Sequence, residues 1–412
     1  MPVNSSIPLP FPAGKGGTKR LFLIAGEASG DVQAACLVRE LRKLIPNLEC
    51  RGLGGAHMRA AGVDLLHDLT KEAVLGLGDV LKKYFFFSRI FRAALNDVER
   101  FKPHAVILID YPGFNLRFAK RIGKRFPILY YVSPQIWAWG KRRIHTIRRT
   151  IDHMIVFFEF EAKLYEDAGV PVTWVGHPLV DLVQFETARE PLRLEWLGTN
   201  EKQKNLVVLF PGSRETEVRR ILPEMLKAAC AIHARKPNTQ FFISQSNTLP
   251  SSLYEEAIEH AKPTFVVKLI SNRSYDLFHA GDFALVSSGT ATLEAALSSV
   301  PFVILYKTAW STFVLARHLI QIPFIGLVNV VAGRKIVPEF IQHEIQAETI
   351  AQEACYLLDH EDLRRKMIFD LNEVRGRLGP KGAAARAALA VQQFLDQAIL
   401  TKGQAVKPAL LI

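Results

Sequence analysis

At 412 residues the chain is longer than one hydrophobic core ordinarily serves, and two domains are expected. Its composition, 49% hydrophobic and 22% charged, is that of a folded globular protein, and its formal net charge of +12 calls for an anionic partner: nucleic acid, an anionic membrane face or a phosphorylated substrate. The four cysteines are widely spaced and form no CxxC pair, which argues against a disulfide framework or a zinc knuckle, and a reducing cytoplasm is the expected setting.

Residues 1–18 are rich in Pro, Gly and Ser and lack the charged start and apolar core of a secretory signal, so they read as a disordered extension. From residue 19 short β-branched or aromatic runs alternate with longer amphipathic segments. RLFLIA (20–25) precedes a helix-like stretch over 31–45, and AVILID (105–110), ILYYVS (128–133) and MIVFFEF (154–160) follow. This rhythm predicts a parallel sheet with crossover helices.

Between those runs lies GDVLKKYFFFSRIFR (78–92), four aromatics in a row among four cations. On a helical wheel Lys82, Arg89 and Arg92 gather on one side, while Val80, Leu81, Tyr84, Phe86, Phe87, Ile90 and Phe91 spread over an arc of roughly 240°. A helix packing on its own core needs a narrower stripe, so part of this surface is expected to meet something else apolar. A crowded core face or a homodimer contact is the plainer account. No apolar run approaches the roughly 18 residues of a spanning helix, so any membrane contact would be peripheral.

The text turns polar and charged over about 181–204, and the alternation then restarts with NLVVLF, TQFFIS, TFVVKLI, DFALVSS and PFVILY. The expected architecture is α/β, with two Rossmann-like parallel-sheet domains facing each other across a cleft: 19–185 and 186–380, followed by a C-terminal helix and tail over 381–412 that could pack on either domain. Ligands are then expected at the carboxyl ends of the strands.

Two tempting signals fail. Arg51-Gly52-Leu53-Gly54-Gly55-Ala56-His57 lacks the last glycine of GxGxxG, and the N-terminal GKGGTK has the wrong spacing for a P-loop. No HExxH occurs, and the twelve histidines show no metal-ligand spacing, so no metal cofactor is expected.

Three strand-to-helix turns carry more. AGEASGD (25–31) offers Glu27, Ser29 and Asp31 at the end of the first strand, although Ser29 or Asp31 could simply cap a helix. LFPGSRETEV places Gly212 and Ser213 before a helix, with Arg214 able to grip phosphate oxygens in a bidentate way or to pair with Glu215 or Glu217. LVSSGTATLEAAL joins Ser288, Gly289, Thr290 and Ala291 to a helix carrying Glu294. A diphosphate could sit on those amides while the Glu294 carboxylate accepts from ribose hydroxyls, or Glu294 could merely complement the helix dipole. A fourth turn, ILIDYPGFN, sets Asp110 at the end of a buried strand, where a carboxylate could act as a general base or serve the turn itself.

Taken in order, GEASGD, IDYPGFN, YYVSPQIWAWGKRR, FPGSRETEV, SSGTATLEAAL and LVNVVAGR resemble the lipid-A-disaccharide synthase family, over roughly residues 19–395. The resemblance implies a GT-B fold and inverting transfer of diacylglucosamine from UDP-diacylglucosamine to diacylglucosamine 1-phosphate, with UDP released and no metal. It makes Asp110 the general base, Arg214 an arginine needed for activity, Glu27 and Ser29 lining of the catalytic cleft, and Asn329 a neighbour of the nucleotide diphosphate. Gly113 stands where some members carry a second acid, so Asp110 is the remaining candidate base.

The resemblance also places Trp137, Trp139, Lys141, Arg142 and Arg143 on the acceptor side, although aromatic and basic residues together are also a pattern for binding single-stranded nucleic acid. It gives the apolar arc a use as well. Val80, Leu81, Tyr84, Phe85, Phe86, Phe87 and Phe91 become a docking face for the anionic inner leaflet, and the protein is expected to be cytoplasmic and peripherally membrane-bound, with no nucleic-acid partner. A peptidoglycan-type GT-B transferase, a UDP-sugar epimerase and a basic nucleic-acid binder are the competing readings.

Overall fold

The structure, a computed structural model, describes residues 17–69, 80–185, 187–199, 204–310, 313–314 and 322–405; the side chains of 80–84 and 401–405 lie outside this description. Two parallel sheets organise the chain. The first holds β1 (Lys19–Ala25), β2 (Leu48–Gly54), β3 (Asp64–Asp68), β4 (Ala105–Ile109), β5 (Ile128–Tyr131), β6 (His153–Val156) and β7 (Val172–Trp174), in the spatial order β3-β2-β1-β4-β5-β6-β7. The second holds β8 (Asn205–Phe210), β9 (Thr239–Gln245), β10 (Val267–Ser271), β11 (Phe283–Ser287), β12 (Phe302–Tyr306) and β13 (Glu339–Ile341), in the order β10-β9-β8-β11-β12-β13.

Strands buried on both faces explain the continuous apolar runs. In β1, Leu21, Leu23 and Ala25 join the core that includes the helix Ala28–Leu44, while Phe22 and Ile24 face a separate core with Ile90, Phe114 and Phe118. The period of two thus divides one strand between two layers of helices.

In each sheet the first strand is paired on one side with the second and on the other with the fourth, so the order reverses between β1 and β4 and again between β8 and β11. Crevices open outside the carboxyl ends of strands at such switch points. All four candidate turns sit there: Gly26–Asp31 after β1, Asp110 after β4, Pro211–Arg214 after β8 and Ser288–Ala291 after β11.

The chain crosses from one sheet to the other between the helices Leu179–Leu182 and Arg189–Leu197. Its last helix, Ala383–Ala405, returns to pack beside Ala28–Leu44 in the N-terminal layer, with Lys19 Nζ 2.5 Å from Asp396 and Phe394 against His153. Asp181 caps that helix by accepting from the amides of Gly382 (2.7 Å) and Ala383 (3.2 Å).

Candidate active site

The N-terminal half-site begins with a close packing contact. A Cβ on Gly26 would lie 2.2 Å from the Tyr111 ring, so only glycine lets the β1 turn pass beneath that aromatic side chain. Asp110 and Tyr111 both adopt left-handed backbone, with φ of 47° and 46°. Two successive non-glycine residues in this region cost about 1–2 kcal/mol each, a strain that clusters at functional sites. Burial pushes the Asp110 carboxyl from 3.8 up to about 6, the neighbouring Glu27 charge adds to the rise, and the Tyr111 amide opposes it. The Tyr111 phenol is raised by the same burial and the same Glu27 charge. Glu27, Asp110 and Tyr111 therefore form one cluster at the switch point, and Ser29 stands exposed beside it.

Asp31 belongs to the frame. Its carboxylate is buried and accepts from the amides of Gly55 (2.8 Å), His57 (2.9 Å) and Met58 (3.0 Å), which start the short helix Ala56–Ala60. The capping reading applies, although the helix it caps is a neighbour and not its own.

The C-terminal half-site is a cleft of about 410 Å³ lined by Phe210, Gly212, Ser213, Arg214, Glu217, Ser244, Gln245, Ser246, Asn247, Ser274, Ser287, Ser288, Gly289, Thr290, Ala291 and Glu294. Eight of these, Gly212, Ser213, Arg214, Ser288, Gly289, Thr290, Ala291 and Glu294, are expected from the sequence, and the structure brings them together. Gly212 has a φ of 111°, and a Cβ there would meet Glu217 Oε2 at 2.5 Å, so this turn also requires glycine. Arg214 is 76% exposed and donates to Glu217 Oε1 at 3.1 Å. Desolvation raises the Glu294 carboxyl to about 7.

Asn329 is a correction. It does not line this cleft: it is fully buried, its Nδ2 donates to Val337 O and Glu339 Oε1 (2.8 Å each), and its Oδ1 accepts from the amides of Ile336 (2.8 Å) and Val337 (3.0 Å). With its amide fully engaged it braces the wall behind the site. Glu339 extends the brace to the amides of Ile325 and Gly326, and Ser288 Oγ donates to Ile325 O at 3.1 Å.

Sequence reasoning missed Ser244-Gln245-Ser246-Asn247 at the end of β9. The signal was present, an apolar strand ending in small polar residues, and it matches that of the other turns. It also missed Glu161, a buried carboxyl pushed up to about 7 by desolvation, which accepts from Trp137 Nε1 at 3.1 Å and so anchors the loop after β5. In that loop Arg143 stacks over the exposed Trp139 ring, 4.2 Å from its centroid.

The aromatic helix, Val80–Phe101, requires a second correction. Phe91 packs edge-on against Phe114 (5.2 Å) and Phe118 (5.8 Å), Phe86 packs on His67 (5.3 Å) and Phe87 (5.7 Å), and Ile90 is buried. Phe86, Phe87 and Phe91 are thus half-buried in the N-terminal core, because the second helix layer, Pro112–Ile122, gives the wide arc a partner. Phe85 is 66% exposed, and the side chains of Val80, Leu81 and Tyr84 lie outside the described residues. Among the described residues no helix is long and apolar enough to cross a membrane, and no cluster of three or more His, Cys, Asp or Glu side chains could hold a metal ion.

Known proteins place this arrangement. The family model described as LpxB, lipid-A-disaccharide synthetase, matches residues 21–394. The lipid-A-disaccharide synthase of Syntrophus aciditrophicus is 42% identical over 90% of this chain and 97% of its own, and that of Myxococcus xanthus is 38% identical over 91% and 97%. The chain belongs to the lipid-A-disaccharide synthase family.

Its fold is shared more widely. MurG of Acinetobacter baumannii matches with a TM-score of 0.56 at 13% identity over 91% of this chain and 99% of its own. A putative UDP-N-acetylglucosamine 2-epimerase from Listeria monocytogenes matches with a TM-score of 0.61 at 16% identity over 93% and 98%. At such identities the likeness is one of fold alone, the GT-B architecture of paired Rossmann-like domains. As a lipid-A-disaccharide synthase the protein is a UDP-sugar-dependent glycosyltransferase of lipid A biosynthesis.

Proposed function

We propose that the protein transfers 2,3-diacylglucosamine from its UDP donor to the primary hydroxyl of 2,3-diacylglucosamine 1-phosphate, and that Asp110 is the general base. The acceptor oxygen attacks the anomeric carbon, its proton passes to the Asp110 carboxylate, and the bond from that carbon to the diphosphate breaks, releasing UDP with inversion. The observation that carries this reading is Asp110 itself: a partly buried carboxyl with a pKa of about 6 at a switch point, ionised near neutral pH yet more basic than an ordinary aspartate. Such a base is worth about 10²–10⁴ in rate.

The donor occupies the cleft at the ends of β8, β9 and β11. Arg214 and the amides of the Ser288–Ala291 turn meet the charge that develops on the departing diphosphate, a role preorganised donors fill without a metal. Glu294, held in a desolvated wall, accepts from the ribose hydroxyls. Glu27 and Ser29 border the acceptor side, and the loop of Trp137, Trp139, Lys141, Arg142 and Arg143 lies next to it, at the end of β5. Exposed Phe85 and the cations Arg89 and Arg92 suit an anionic bilayer surface at the inner membrane better than nucleic acid.

Incubating the purified protein with both acylated substrates and EDTA tests the proposal. A disaccharide 1-phosphate and UDP are expected. Turnover of a different UDP-sugar with none of this product would overturn it.

A further inference from the structure

The strained turn at Asp110 is held by hydrogen bonds to its main chain. Its amide donates to Tyr131 O at 3.1 Å. Its carbonyl oxygen accepts twice, from Asn115 Nδ2 at 2.7 Å and from the Tyr130 hydroxyl. With both lone pairs and the amide engaged, the peptide cannot rotate and the carboxylate is the one part of the residue left to act.

Asn115 is unusual in how it achieves this. It is fully buried in the helix Pro112–Ile122, and its Nδ2 also faces Ile109 O (3.1 Å) and Ile24 O (3.4 Å), the last carbonyls of β4 and of β1's interior. One amide nitrogen thereby ties together the two strands that flank the switch point. Its Oδ1 is buried without a hydrogen-bond partner among the described residues. A buried acceptor left unsatisfied is costly, and it is retained here because the opposite amide orientation would set oxygen against three carbonyl oxygens.

We infer that Asn115 and Tyr130 are positioning residues for the transfer reaction, which keep Asp110 in its left-handed conformation beside Glu27 and Tyr111. The inference rests on Asp110 being the base. Neither residue touches substrate; each acts on the Asp110 carbonyl, and through it on where the carboxylate sits. If the turn relaxes, the carboxylate leaves its desolvated place next to Glu27, and its proton affinity returns towards that of an ordinary aspartate.

The test uses the full chain with Tyr130→Phe, which removes one hydroxyl and keeps the buried ring, and Asn115→Leu, which removes both N–H donors shared among the three carbonyls at similar volume. The pH profile of kcat/KM is read for each, together with KM for both substrates and the thermal melt. Expected for Tyr130→Phe are a kcat lowered at least about tenfold at the plateau, KM values within about twofold of wild type, and an acid limb displaced below its wild-type midpoint. Asn115→Leu should show the same changes, larger. Two results overturn the inference: plateau activity equal to wild type in Tyr130→Phe, or activity lost only in proportion to unfolded protein with the acid limb unmoved. Should Asn115→Leu not fold, Tyr130→Phe decides alone. Asp110→Asn in the same assay separates the two claims. If it retains turnover the base assignment fails, and if it is inactive while Tyr130→Phe and Asn115→Leu behave as wild type, the positioning role alone fails.

Discussion

Replacing Asp110 by Asn changes charge and little else. Asparagine accepts the left-handed backbone at this position about as readily as aspartate, so the φ of 47° adds no new strain. The carboxyl rises from 3.8 to about 6 in the folded protein, chiefly by burial and next by the Glu27 charge. At about 1.4 kcal/mol per pH unit, ionising it in the fold is about 3 kcal/mol more costly than in the unfolded chain, an upper bound for a group that is only partly buried. The sign follows from proton uptake. Below about pH 3 Asp110 is protonated in both states and there is no penalty; the penalty grows between about pH 4 and 6 and is constant above.

Asp110→Asn should therefore stabilise the protein by about 1–3 kcal/mol at pH 8, have no effect at about pH 3, and lower turnover by about 10²–10⁴ while UDP binding is unchanged. Urea unfolding at the two pH values and disaccharide formation at pH 8 measure both effects. Stability gained and activity lost together mark a residue selected for chemistry. Normal turnover, or a loss of turnover accompanied by lower stability at pH 8, would refute the reasoning.

The other half-site makes separate demands. Arg214→Lys keeps the charge and loses the planar fork, and should reduce kcat/KM roughly thirtyfold, equivalent to about 2 kcal/mol for a lost charge-assisted bond, in steady-state assays. Because burial holds Glu294 near 7, UDP affinity should rise between pH 6 and 8 as its carboxylate forms; in Glu294→Gln, calorimetry should show only the part due to the phosphate's own titration at about 6. Phe85→Ser should weaken binding to anionic vesicles by roughly tenfold or more and leave the melting temperature alone, whereas Phe91→Ser, which empties a core contact, should destabilise the fold by about 2–4 kcal/mol. Asn329→Ala strands the amides of Ile336 and Val337, with an expected loss of about 2–5 kcal/mol in denaturant melts and no loss of UDP affinity in the fraction that remains folded.

Strands written as continuous apolar runs were readable wherever they lie in a sheet, the edge strand β10 included, and strands that are short or broken by charges and glycines were not, the interior strand β2 included. β1, β4, β8 and β11 are unbroken apolar runs because helices cover both faces. β2 reads LECRGLG and β3 reads DLLHD, with charges and glycines that resemble turns, and β7 and β13 are three residues each. The candidate turns were legible because each ends an interior strand. What was not legible was orientation: Asn329 and Asp31 carry side chains suited to a ligand, but tertiary packing aims them at backbone amides. The core packing of Phe86, Phe87 and Phe91 was hidden for a related reason, since a wheel shows how wide the apolar arc is and not how many layers pack on it. Asn115 and Tyr130 were invisible as site residues because they act on main-chain atoms that only the fold brings near.

Arg214 shows why two accounts of one residue need not compete. Its contact with Glu217 is an exposed pair three residues apart, of a kind worth about 0.3–0.5 kcal/mol. A charge-assisted bond to a phosphate oxygen contributes about 1.5–3 kcal/mol, so a diphosphate entering the cleft would take the guanidinium from Glu217 with a net gain. An exposed pair of this kind holds the guanidinium only weakly. Gly212 permits it, because a side chain there would collide with the Glu217 carboxylate that parks the arginine beside the turn. On the proposed function, salt bridge and phosphate grip would be the free and occupied states of the same site, and the weakness of the first would make the second accessible.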